Sequence, residues 1–180
     1  MKLNLANRLT LLRVLMIPVF LCALFCGIWG ERVSRLAAAG IFVAAAATDA
    51  LDGYIARSRN MITSLGKFMD PLADKLLVCA ALIAFVGLNQ LPAWVVIIIV
   101  SREFIITGFR TIAAERGIVL AAGFSGKLKT VFQMCAIIAL ILNFDNELYR
   151  AFCLALVAIS IALTVYSAVE YIVKNRRVLM

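Results

Sequence analysis

Histidine is absent from this 180-residue chain. That removes the commonest general base, and any Ser-His-Asp arrangement with it. Charged side chains make up only 16% of the residues. The five cysteines, Cys22, Cys26, Cys79, Cys135 and Cys153, stand singly in apolar stretches, and no CxxC pair occurs. They read as small packing residues rather than as ligands. No ribbon of interleaved basic and aromatic residues marks a nucleic-acid binder, so no nucleic-acid partner is expected. Low-complexity tracts and internal repeats are lacking too.

What fills the chain is apolar. Hydrophobic residues reach 64%, and the mean hydropathy is +1.03. A soluble domain of this size would have too little polar surface to stay dissolved, so the solvent is expected to be lipid. Each span needs ~20 apolar residues, which leaves room for about six spans and no separate soluble domain. Apolar segments run approximately over 11–29, 36–56, 69–88, 92–112, 127–143 and 149–173, with polar or turn-forming junctions between them. The expected fold is therefore all-α: one membrane domain over 1–180 with six transmembrane helices. Ahead of Arg13, a short segment of mixed polarity suits a helix lying along the interface. The stretch from Val14 to Ile28 contains Pro18 and no clear small-residue cleavage site, so it is expected to be a retained first span.

Lysine and arginine set the orientation. In a six-span arrangement only Arg32, Arg35 and Arg150, of the 18 Lys and Arg, fall on one side. Both termini should therefore face the cytoplasm. The net charge of +8 suits the negative cytoplasmic leaflet. Trp29 and Trp94 fall near the outer helix ends, where interfacial belts place tryptophan.

Aspartate is rare but clustered. Asp49, Asp52, Asp70 and Asp74 lie close together inside apolar surroundings. An ionised carboxylate at membrane depth costs several kcal/mol, and four together repel one another, so something positive must hold them. Asp49, Asp52, Gly53 and Ala56 follow i, i+3, i+4, i+7 spacing, one face of the second helix, and Asp70 and Asp74 share one face of the third. At 1.5 Å per residue, Asp49 and Asp74 lie ~20 and ~21 Å from the outer ends of their helices. Asp52 and Asp70 follow at ~24 and ~27 Å. All four can thus meet at one level, in a cavity opening to the cytoplasm. Converging carboxylates without histidine or cysteine suit hard, oxygen-preferring cations. Two such ions clamp phosphoryl oxygens in many transfer reactions. Gly53 and Ala56 remove bulk where a ligand approaches, and Arg57, one turn on, offers a fork of donors for phosphate. A divalent-cation transporter would also need intramembrane carboxylates, but these lie towards one side only.

The run Asp49-x2-Asp52-Gly53-x2-Ala56-Arg57-x8-Gly66-x3-Asp70-x3-Asp74 resembles the CDP-alcohol phosphatidyltransferase motif, with every fixed position present. The stretches 7–18, 64–75, 101–108 and 126–130 resemble those members that take glycerol 3-phosphate as acceptor and CDP-diacylglycerol as donor. The resemblance implies that Asp49, Asp52 and Asp70 ligate two divalent cations, Mg²⁺ or Mn²⁺. It implies that Asp74 completes the second site and takes the acceptor hydroxyl's proton. Gly53, Ala56, Arg57, Thr63 and Gly66 would bind CDP-diacylglycerol, helped by Asn7 and Thr10. A homodimer in the inner membrane of a bacterium is implied in the same way, as are serine, inositol phosphate or phosphatidylglycerol as alternative acceptors.

The remaining charges have two readings each. Arg102 and Glu103 lie ~15 Å from the outer end of the fourth helix, near mid-membrane, where a charge suggests function and a mutual or interhelical salt bridge is the rival reading. Arg110, Lys127 and Lys129 surround the junction between helices four and five. With Arg102 they are candidates to hold the acceptor phosphate, or else they only anchor the cytoplasmic side.

Overall fold

A computed structural model describes residues 5–27, 30–59, 64–115, 117–118 and 123–175, with backbone alone for 5–10, 49–59 and 64–74. Six helices follow one another: α1 (Leu5–Cys26), α2 (Glu31–Arg59), α3 (Ser64–Gly87), α4 (Ala93–Glu115), α5 (Phe124–Leu142) and α6 (Glu147–Lys174). No strand occurs among the described residues, so the all-α expectation holds. Among those residues, α5 and α6 are long and apolar enough to cross a membrane. Large apolar side chains such as Phe124, Leu148 and Leu154 stand 80%, 79% and 65% exposed, a surface that water would penalise and lipid would not.

The helices outrun the apolar segments that announced them. α2 continues to Arg59 rather than ending near Ala56, and α3 starts at Ser64 rather than near Met69. Polar helix formers extend a helix past its apolar stretch because each added residue closes another backbone hydrogen bond. The interfacial segment expected before Arg13 is likewise not a separate element. α1 runs unbroken from Leu5, since no glycine or proline interrupts it before Pro18 and a membrane helix tolerates that proline.

The ends have local causes. Gly27 and Gly30 take φ of 56° and 86°, left-handed values that glycine adopts without steric cost. The turn is closed by Gly30 N–H donating to Gly27 O at 3.0 Å. Asn146 caps α6 by accepting from the Leu148 N–H at 2.9 Å, satisfying one of the orphan amides of the first turn.

The chain divides into two compact units, Met1–Gly87 with Ile141–Asn143, and Leu88–Leu140 with Phe144–Met180. In the first, α1 packs along both α2 and α3, whereas α2 and α3 meet each other only briefly. Phe20 and Phe42, both fully buried, face each other with ring centroids 5.7 Å apart. Ala38, Ala39 and Ala45 of α2 are buried beside them. Such small side chains allow close backbone approach where lipid supplies no hydrophobic drive between helices. Arg35 fastens this unit's outer edge, donating to the Glu31 carboxylate at 3.1 Å and to the Ile141 carbonyl at 3.3 Å. In the second unit, α4 packs on α6 around Ile106, Phe109, Ala113 and Tyr171.

Candidate active site

The four aspartates sit on two helices of the first unit. Asp49 and Asp52 belong to α2, with Gly53, Ala56 and Arg57 on the following turns, while Gly66, Asp70 and Asp74 belong to α3. The expected helical placement of both halves of the motif therefore holds. Arg57 lies within α2, one turn beyond Gly53. The side chains of all these residues, and those of Asn7 and Thr10 on α1, lie outside the described residues, as does Thr63 altogether. The helix faces can still be followed. On α3 the buried residues Leu77, Ala81 and Ala84 repeat at helical spacing, and Asp74 and Asp70 fall three and seven positions before Leu77, on the same stripe. On α2, Asp49 falls seven positions beyond buried Phe42 and four beyond buried Ala45. Among the described residues no group of three or more acidic, cysteine or histidine side chains is assembled. The donor chemistry of the motif, carboxylate oxygen alone, fits hard divalent cations and does not suit soft ones.

The second unit carries a polar seam through α4, α5 and α6. Glu103 accepts from Arg102 at 3.2 Å and is ion-paired with Lys129, which is 3% exposed. Arg102 also donates to Ser167 Oγ at 2.9 Å. Ser125 donates to the Glu170 carboxylate, which ties the start of α5 to α6. On α6, Ser160, Thr164 and Ser167 are all buried, at i, i+4, i+7 spacing. The Thr164 hydroxyl donates back to the Ser160 carbonyl at 2.6 Å. Of the two readings of the mid-helix charges, the interhelical salt bridge is present, between Glu103 of α4 and Lys129 of α5.

Arg110 lies two turns further along α4 and has a different partner. Its Nε donates to the Tyr171 hydroxyl at 3.2 Å, and its guanidinium sits 5.7 Å from the centroid of that ring. Lys127 is exposed. Of the four basic candidates, then, the structure joins Arg102 and Lys129 through Glu103, and neither Arg110 nor Lys127 shares in that network.

The sequence of the family described as CDP-alcohol phosphatidyltransferase matches residues 3–166. The chain belongs to this family. It is 46% identical to the CDP-diacylglycerol–glycerol-3-phosphate 3-phosphatidyltransferase of Bacillus subtilis (strain 168), over 96% of this chain and 95% of that one. It is 43% identical to a probable phosphatidylglycerophosphate synthase of Mycobacterium tuberculosis (strain ATCC 25618 / H37Rv), covering 97% and 82% of the two chains. A Haemophilus influenzae protein named like the Bacillus one is 38% identical over 96% and 93%.

For a CDP-alcohol phosphatidyltransferase, several polar residues described here escaped sequence reasoning. Ser125, Gln133, Ser167, Glu170 and Tyr171 each look unremarkable alone. The signal was the spacing of Ser160, Thr164, Ser167 and Tyr171, a polar stripe at helical period within an otherwise apolar α6. In lipid such a stripe must face protein. Arg13 was counted only as a topology charge, yet it is 1% exposed.

Proposed function

We propose that this membrane enzyme transfers the phosphatidyl group of CDP-diacylglycerol to glycerol 3-phosphate, giving phosphatidylglycerol phosphate and CMP. The observation that carries this reading is the complete aspartate motif on α2 and α3, within a chain aligned almost end to end with relatives bearing that reaction in their names. The chain works as a single domain with six spans, both termini and the aspartates facing the cytoplasm. It resides in the inner membrane of a bacterium, and family resemblance suggests a homodimer.

Asp49, Asp52, Asp70 and Asp74 would hold two divalent cations, Mg²⁺ or Mn²⁺, which when bound supply electrostatic stabilisation of the transferring phosphoryl group. Gly53, Ala56 and Gly66 keep side-chain bulk away from the donor. Arg57, Thr63, Asn7 and Thr10 supply hydrogen bonds to its CDP part. Asp74 accepts the proton of the acceptor hydroxyl as its oxygen bonds to the lipid-side phosphorus. The phosphoanhydride bond breaks opposite, and CMP leaves with the electron pair. Arg110, Lys127, Lys129 and Arg102 hold the acceptor phosphate.

Purified enzyme with labelled CDP-diacylglycerol tests the reading against an acceptor panel. Release of CMP should require glycerol 3-phosphate and a divalent cation, and should stop in chelator. Preference for serine, inositol phosphate or phosphatidylglycerol would move the chain to another branch of the family.

A further inference from the structure

Among the described residues Arg13 is the largest side chain that is almost wholly enclosed, at 1% exposure. It lies on α1 and is engaged in an interaction rather than left free. A guanidinium keeps its charge under all ordinary conditions, and enclosing one is costly unless negative charge lies beside it. The register of α1 against α2 shows what lies at its level. The two helices form a hairpin with a short connection, so they run antiparallel, and Phe20 packs against Phe42 across them, the rings tilted by 52°. Seven residues from Phe20 towards the start of α1 is Arg13, and seven from Phe42 along α2 is Asp49. Both steps cover ~10.5 Å and return to nearly the same helix face. Thr10 and Asp52 correspond three residues further. α1 also packs along α3, where Asp74 and Asp70 fall three and seven positions before buried Leu77, at helical spacing.

We infer that Arg13 is a positioning residue, the fixed counter-cation of the aspartate cluster, which holds the carboxylates together while no divalent cation is bound. In this role Arg13 acts on the reaction only through the aspartates. The inference rests on the proposed function of the four aspartates as cation ligands. A fixed positive charge beside those ligands opposes an incoming cation. Removing it should therefore weaken the metal-free protein and tighten its hold on metal.

Thermal denaturation of the purified full chain in detergent, with chelator or with a magnesium series, reads both effects without an activity assay. Arg13→Gln is expected to lose several degrees in chelator but much less in saturating magnesium, and its half-saturating magnesium should fall about ten-fold. Arg13→Lys should restore most of the wild-type pattern. An equal loss in both conditions would mean a packing role only, and a raised magnesium requirement would mean that Arg13 assists metal binding. Either result overturns the inference. Absence of any magnesium-induced shift in the wild type would overturn the ligand reading itself and this inference with it. If Arg13→Gln alone does not fold, Arg13→Gln/Asp49→Asn removes one charge of each sign and should recover folded protein. Failure of that recovery also counts against Arg13 as counter-cation.

Discussion

At the scale of single residues, opposite charges are placed by opposite rules. The aspartates are numerous for their apolar surroundings, so their stability depends on what balances their charge. Asp49→Asn, Asp52→Asn and Asp70→Asn should each abolish CMP release, and each should shrink the magnesium-induced rise in melting temperature. Wild-type rates in any of the three, or full activity in chelator, would defeat the metal reading. Glu103 is the reverse case, an acid paired with two bases. Glu103→Gln breaks its ion pair with buried Lys129, a loss of about 3 kcal/mol for a broken buried pair. It should appear as a clear drop in melting temperature; a melt within a degree of wild type would show the pair to be unimportant. The acceptor phosphate is better tested at Arg110, which is exposed and bound to a neutral phenol. Losing one charge-assisted hydrogen bond should raise the KM for glycerol 3-phosphate roughly 10- to 100-fold. The KM for CDP-diacylglycerol should move much less. An unchanged KM in Arg110→Ala would reduce that arginine to a topology signal.

The elements were the most legible part of the sequence. Six apolar segments correspond to six helices, and the motif spacing placed Asp49 through Arg57 on one helix and Asp70 with Asp74 on the next. Hydropathy could not set the ends, because Arg57 to Arg59 and Ser64 to Lys67 are polar yet helical. Nor could it show that α1, rather than a direct α2–α3 contact, joins the two aspartate-bearing helices. Periodicity tells which face of a helix is buried, but not which neighbour buries it. For the same reason the ion pair of Glu103 with Lys129 of α5 could not be read from α4 alone. Helix order also carries a topology that can be measured. Asn89, at φ 55° in the turn between α3 and α4, should lie outside, and position 60, between α2 and α3, should lie inside. A single cysteine at 89 in a cysteine-free background should react with an impermeant reagent from outside, and one at 60 only after permeabilisation. The reverse pattern would invert every span.

For the whole molecule, the asymmetry of charge joins topology to catalysis. The net charge of +8 is concentrated on the side where the aspartates lie in the six-span arrangement, next to the leaflet whose lipids are anionic. The acceptor carries about two negative charges and cannot cross a bilayer unaided, whereas the lipid donor is confined to it. A site open to one face only therefore sees acceptor from that face alone. In sealed inside-out vesicles, added glycerol 3-phosphate and magnesium should support CMP release at once. In right-side-out vesicles blocked for glycerol 3-phosphate uptake, the same additions should give little release until detergent opens the membrane, after which the two preparations should agree. Equal rates before detergent would mean that the carboxylates are reachable from both faces, as a transporter requires. Release from right-side-out vesicles alone would place the positive face outside, against the distribution of lysine and arginine.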